Sequence, residues 1–176
     1  MTLFGRVAAE LGRAGIAAAV CGAGALAIHG VARSTYDIDL LTTDPRTLHD
    51  ETWRSLAAGL VHVEIRRGDH DDPLRGVVRV TQQGQRSVDV IVGRFAWQAA
   101  IVDAASPQRI LGAPVRVVDV PALILLKLYA GGPQDLWDIE QLMATATSDT
   151  VRAVDAVIEQ LPSASRALWE PFRARG

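Results

Sequence analysis

Asp37 and Asp39 stand one residue apart in a run, Asp37-Ile38-Asp39-Leu40-Leu41-Thr42, that otherwise suits a buried strand. Residues i and i+2 of a strand point to the same face, about 6 to 7 Å apart, so the two carboxylates can converge on one hard cation or bridge two. Mg²⁺ takes oxygen ligands, commonly one or two carboxylates with waters and substrate phosphates completing its octahedron. An arbitrary pair of this spacing more often decorates a strand edge. Here the context argues for chemistry: aspartate is a poor strand former, Arg33 stands four residues before the first aspartate, and Gly22-Ala23-Gly24 lies just upstream. A strand ending in a Gly-x-Gly turn brings backbone N–H groups to a helix N-terminus, where they suit phosphate.

A third acid, Asp89, interrupts the apolar run Ser87-Val88-Asp89-Val90-Ile91-Val92. An ionised carboxylate is costly to bury unless it is paired or metal-bound. Asp89 is therefore a candidate third metal ligand, or a general base for an acceptor hydroxyl. Lys127, flanked by Leu125, Leu126 and Leu128, reads by residue type as a lysine with its stem on the core and its amine in water. His29 suits a structural hydrogen bond, and Asp69-His70-Asp71-Asp72 a solvated loop. Arg66, Arg67 and Arg75 are either scattered surface charges or a local basic patch for an RNA acceptor. Trp137 and Trp169 fall at helical positions that suggest core packing.

Gly22, Gly24 and Ala27 also satisfy a dinucleotide-binding G-x-G-x-x-A pattern. That fold needs a full crossover helix and an acid near the end of the second strand. Gly30 cuts the helical segment after little more than one turn, and Asp37 and Asp39 open the next strand instead of closing it. The dinucleotide reading is therefore disfavoured.

The elements that must position these groups follow from periodicity. Leu3, Val7 and Leu11 predict an opening amphipathic helix stopped by Gly15, and 16–21 a buried strand. Gly22-Ala23-Gly24 predicts a tight turn, 25–29 a short helical piece and 37–42 a strand. Asp44-Pro45 predicts a capped helix start, with the helix running over 45–58. Alternation over 61–66 predicts a half-buried strand, and 75–81 with 86–92 a hairpin. A short strand at 115–118 precedes helices over 121–130, 134–144, 150–161 and 163–172. The order predicts an α+β fold with a mixed sheet flanked by helices, a core over 1–118 and a helical C-terminal region over 119–176, packed as a single compact unit.

The chain has 176 residues, 49% hydrophobic, with a formal net charge of −2, enough to bury a core but without the basic footprint of a nucleic-acid-binding domain. Cys21 is the single cysteine, which excludes an internal disulfide and places it as a buried packing residue. No apolar stretch approaches the roughly 20 residues that span a bilayer, and the N-terminus lacks signal-peptide character, so a cytoplasmic location and no membrane partner are expected.

The run Gly22-Ala23-Gly24, Ala27, His29-Gly30, Arg33-Ser34-Thr35-Tyr36-Asp37-Ile38-Asp39-Leu40 resembles the nucleotidyltransferase fold of DNA polymerase beta, especially its small bacterial AbiEii and minimal-nucleotidyltransferase members. The resemblance implies a Mg²⁺-dependent (or Mn²⁺-dependent) enzyme moving a nucleotide from NTP to an acceptor: tRNA, another RNA end, a protein hydroxyl or an aminoglycoside-like drug. It implies Asp37, Asp39 and Asp89 as catalytic metal ligands, and Gly22, Ala23, Gly24, Arg33 and Thr35 at the nucleotide. It also implies that Lys127 neutralises triphosphate charge, with Asp138 pairing it or positioning the nucleotide and Asp135 capping its helix. In such relatives a basic residue often precedes the first aspartate of the Asp-x-x-Asp segment; Gln134 stands there. A serine usually closes the glycine turn and touches the triphosphate; Ala25 stands in its place, leaving Ser34 or Thr35 as substitute hydroxyls. A toxin with a cognate antitoxin, a drug-modifying nucleotidyltransferase and a catalytically silent binding or regulatory module are the versions it leaves open.

Overall fold

The computed structural model describes residues 1–33 and 35–174 and divides into two units, one made of Met1–Gly24 with Ser34–Val118, the other of Ala25–Arg33 with Asp119–Gly176. In the first, α1 (Leu3–Arg13) opens where the Thr2 side chain accepts from the Gly5 backbone N–H at 3.1 Å, and buries Leu3, Val7 and Leu11. Gly15 then turns the chain with φ +65°. The strand β1 (Ala19–Cys21) is shorter than the apolar run predicted.

The expected turn at Gly22-Ala23-Gly24 is instead the first turn of α2 (Gly22–Ile28), so helix follows strand with no intervening loop. Gly22 makes this possible through φ +56°, a conformation in which glycine has no Cβ penalty. The predicted strand over 37–42 is β2 (Asp37–Thr42). After Asp44, whose side chain accepts from the Arg46 N–H at 2.9 Å, the single expected helix is broken into a 3-10 turn (Pro45–Leu48) and α3 (Asp50–Ala57). The break lies at His49, held at ψ 135°, and the buried Trp53 donates its indole N–H to the Thr47 carbonyl at 2.7 Å.

The half-buried strand is β3 (His62–Arg67), and the hairpin is β4 (Gly76–Thr81) with β5 (Ser87–Val92). Three elements without a strong sequence pattern complete this unit: α4 (Ala96–Ala104), β6 (Ser106–Ile110) and β7 (Ala113–Val117), the last overlapping the expected short strand. The sheet runs β3-β4-β5-β2-β1-β7-β6. Two of its pairings, β2 with β5 and β1 with β7, are parallel and the rest antiparallel. Alternation sorts the central strands: Val78, Val80, Val88, Val90, Ile38 and Leu40 are buried on one face, while Arg79, Asp89, Asp37 and Asp39 are intermediate on the other. Helix α1 packs against α3, β5 and β7.

The second unit is helical. Asp119 caps α5 (Val120–Ala130) by accepting from the Ala122 N–H at 2.9 Å, and Gly131 ends it in the left-handed region at φ +68°. Around α5 pack α6 (Pro133–Met143), α7 (Ser148–Ile158) and α8 (Ser163–Arg173). Leu123, Ile124, Leu128, Ile139, Leu142 and Val154 fill the interior. Trp169 is buried as expected and donates to Asp155 Oδ1 at 2.8 Å, with the Phe172 ring 6.3 Å away. Trp137 departs from expectation: it is exposed, because the inward side of α6 is taken by Asp138, Ile139 and Leu142. Among the described residues no helix is long and apolar enough to cross a membrane.

Candidate active site

Strand register gathers the acids. In the parallel pair β2–β5, Asp39 lies opposite Asp89 and Asp37 opposite Ser87. In the hairpin Arg79 lies opposite Asp89, Glu64 of β3 lies opposite Arg79, and on the other side Cys21 of β1 lies opposite Asp39. One row of side chains therefore crosses five strands: Glu64, Arg79, Asp89, Asp39, Cys21. Directly opposed residues share a face with Cβ atoms about 4.5 to 5.5 Å apart. Asp37 joins that face because it is two residues from Asp39.

Asp39 owes its position to Gly22. A Cβ built on Gly22 would lie 2.0 Å from Asp39 Oδ2, so only glycine leaves room for this carboxylate beside the start of α2. Thr35 fixes the approach to β2: its hydroxyl accepts from the Asp37 N–H at 3.3 Å and lies 3.3 Å from Asp37 Oδ1. Ser34, the alternative hydroxyl, lies outside the described residues. Ala25 is fully buried.

Arg79 is the residue that sequence reasoning missed. Its Nη2 donates to Asp37 Oδ2 at 3.2 Å, and its Nε is 3.6 Å from Asp89 Oδ1. Asp89 Oδ1 is buried and has no hydrogen-bond partner among the described residues. Burial pushes the Asp89 carboxyl up, the Arg79 charge opposes this, the Asp37 charge adds to it, and Arg66 opposes it again. The predicted hairpin, zipped from its four-residue connection, sets residue 79 against residue 88; the observed register is one residue longer at the turn and sets Arg79 against Asp89.

Beside Asp89 opens a cavity of about 330 Å³, lined in part by Arg66, Arg67, Asp72, Leu74 and Arg79. Two of the three arginines of the possible basic patch thus share one cavity. Arg75 lines a neighbouring one with Arg67 and Arg94. Arg66 pairs with Glu64 at 2.7 Å, and Arg67 donates to the Leu48 carbonyl at 2.6 Å. The Asp69–Asp72 segment is an exposed loop, as expected.

In the helical unit, Lys127 is buried, with Nζ 2.7 Å from Asp135 Oδ1 and 2.7 Å from Asp138 Oδ2. Asp138 is completely enclosed, and Arg33 Nε approaches its Oδ1 at 3.7 Å. Burial pulls the Lys127 ammonium down, but hydrogen bonds and charge from the two carboxylates outweigh it and hold the pKa above the usual lysine value. Arg33, which the resemblance implies at the nucleotide, has Asp138 as its ion partner. Asp135 also accepts from the Gly132 N–H at 3.1 Å at the start of α6, the expected capping role. His29 is half-buried.

Among the described residues, no three His, Cys, Asp or Glu side chains converge as a ready-made metal cluster. The donors nevertheless fit a hard divalent cation. Three carboxylates share one sheet face, one carries a buried oxygen without a hydrogen-bond partner among the described residues, and Gly22 leaves space for another. The guanidinium of Arg79 occupies the position between Asp37 and Asp89.

The fold is similar to that of known proteins at low sequence identity. The antibiotic-resistance factor ANT(2'')-Ia is 18% identical with a TM-score of 0.51, the match covering 98% of this chain and 90% of that one. A putative nucleotidyltransferase from Thermotoga maritima is 14% identical with a TM-score of 0.54, over 80% of this chain and 90% of that one. No curated protein matches the sequence. Residues 1–166 match the family described as nucleotidyl transferase of unknown function (DUF2204). With an α+β fold built on a mixed seven-stranded sheet and a family match over nearly its whole length, the chain belongs to this nucleotidyl transferase family.

Proposed function

We propose that the protein catalyses Mg²⁺-dependent transfer of a nucleoside monophosphate from NTP to an acceptor hydroxyl. The observation that carries the reading is the register that sets Asp39 against Asp89 with Asp37 on the same face. Asp37, Asp39 and Asp89 would hold the metal, Mn²⁺ serving as a substitute. Bound there, the cation supplies charge for the phosphoryl oxygens and the leaving group. The first-turn N–H groups of α2, at Gly22, Ala23 and Gly24, have no intrahelical acceptor and suit triphosphate oxygens.

Asp89 is the proton acceptor in this reading. The acceptor oxygen bonds to the α-phosphorus while its proton passes to Asp89. The bond from that phosphorus to the bridging oxygen breaks, and pyrophosphate leaves with the electron pair. Rate enhancement would come from positioning and charge neutralisation. Thr35 orients Asp37. Lys127 enters with its charge already shared between Asp135 and Asp138, so a contribution to the nucleotide requires one of those carboxylates to let go.

The acceptor is tested with α-labelled NTPs and Mg²⁺, offered in turn total RNA, cell protein and aminoglycosides. The last arm is included because ANT(2'')-Ia is known in complex with adenylyl-2''-tobramycin. Label transfer that depends on Asp39 is expected in one arm and identifies the acceptor. Absence of transfer in every arm, with intact binding of Mg²⁺·NTP, would favour a silent binding module, the version in keeping with the buried Ala25 at the serine position. A toxin role would require that expression arrest growth and that Asp39→Asn relieve it.

A further inference from the structure

We infer that Arg79 is a tethered counterion that holds the carboxylate site in the cation-free protein and must leave it before a divalent metal can bind. The inference rests on the proposed metal role of Asp37, Asp39 and Asp89. It adds a competitor, built into β4, that sets how readily that site loads.

The geometry forces the competition. One guanidinium spans two carboxylates, 3.2 Å from Asp37 Oδ2 and 3.6 Å from Asp89 Oδ1. Mg²⁺ needs its oxygens at about 2.0 to 2.1 Å, which brings any two ligand oxygens to within about 4.2 Å of each other. A cation chelated by both carboxylates therefore takes the space of the guanidinium, and like charge drives Arg79 out. In return, the guanidinium now screens Asp37 and Asp89, which would otherwise repel each other across adjacent strands.

Arg79 has somewhere to go. Its side chain is 42% exposed, and it lines the cavity of about 330 Å³ shared with Arg66, Arg67 and Asp72. The backbone of β4 is fixed by pairing on both sides, so the movement is confined to side-chain torsions. Once released, the guanidinium faces that cavity as a donor for an anion. Metal alone should therefore bind weakly, and an anion that accepts the displaced guanidinium should strengthen it.

The experiment measures Mn²⁺ binding to the full chain by electron paramagnetic resonance, with and without inorganic pyrophosphate. The chains compared are wild type, Arg79→Gln, Arg79→Lys and Asp39→Asn. Arg79→Gln should bind Mn²⁺ at least tenfold more tightly than wild type and show less strengthening by pyrophosphate. Arg79→Lys should fall between, because a single ammonium reaches one carboxylate at a time. Without metal, Arg79→Gln should melt at a lower temperature than wild type, and Mn²⁺ should raise its melting temperature by more. Equal or weaker Mn²⁺ binding by Arg79→Gln, in a chain whose near-ultraviolet circular dichroism is native, overturns the inference while leaving the metal site standing. If neither wild type nor Arg79→Gln binds Mn²⁺ at millimolar concentration, the metal site itself fails and the inference falls with it.

Discussion

Gly22 and Asp39 are so close that a Cβ on the first would lie 2.0 Å from Oδ2 of the second. Gly22 also holds φ +56°. Gly22→Ala combines a left-handed backbone penalty of about 1 kcal/mol with eviction of the carboxylate from its place. We expect Mn²⁺ affinity to fall at least tenfold while the chain remains folded, read by paramagnetic resonance and thermal melting in the same samples.

Asp89→Asn should stabilise the metal-free protein and abolish transfer. Burial raises the folded-state pKa of Asp89 above its unfolded value, with Arg79 opposing. The favourable contribution of the protonated form is full below the unfolded value, near 3.9, and is lost as pH rises through the raised folded value. At neutral pH the ionised group therefore works against the fold, and Arg79 keeps Asp37 as a partner when Asp89 is neutralised. Urea unfolding should show a gain at pH 7 that shrinks toward acid pH.

Lys127→Met leaves Asp138 enclosed with, among the described residues, only the distant Arg33 as counter-charge. Removing one partner of a buried ion pair costs about 3 to 5 kcal/mol, and chemical unfolding should register a loss of that size. The pH dependence has the opposite limb from an acid. Because the folded pKa of Lys127 is raised, its stabilisation is complete below the unfolded value, near 10.4, and is lost as pH rises through the folded value. Wild type should weaken in that alkaline window and Lys127→Met should not.

Arg94 ties the loop that borders the cavity. Its guanidinium donates to the carbonyls of Asp69, His70 and Leu74 at 2.6, 2.6 and 2.8 Å. The loop is exposed, so Arg94→Ala returns those carbonyls to water and should cost about 1 kcal/mol. Amide exchange over 69–74 should accelerate, while exchange in β5 stays unchanged.

The strands bearing the acids were legible because their chemistry is local: alternation marks β3, β4 and β5, and the pair Asp37 and Asp39 marks β2. The glycine segment was misread as a turn because two glycines usually break a helix, whereas here Gly22 supplies the one left-handed residue at the junction and the helix starts at once. The break at His49 is set by Trp53 reaching back to Thr47, which no periodicity reports. Strands β6 and β7 lack strong alternation: β6 is mostly exposed and carries Pro107, so only pairing with β7 defines it. Arg79 was hidden for a related reason. An arginine in an alternating strand looks like an ordinary solvent-facing residue until the register names what stands opposite.

The parallel pairing of β2 with β5 joins segments separated by 50 positions, with β3 and β4 closing in between. Contacts of such sequence separation carry a high loop-closure cost and form slowly relative to local hairpins. The hairpin can bring Arg79 beside Asp89 early, but Asp39 reaches Asp89 only when the sheet is knit across its middle. A nascent or partly folded chain thus carries the counterion and one acid without the cation site, so it offers a divalent ion little to grip until the domain is whole.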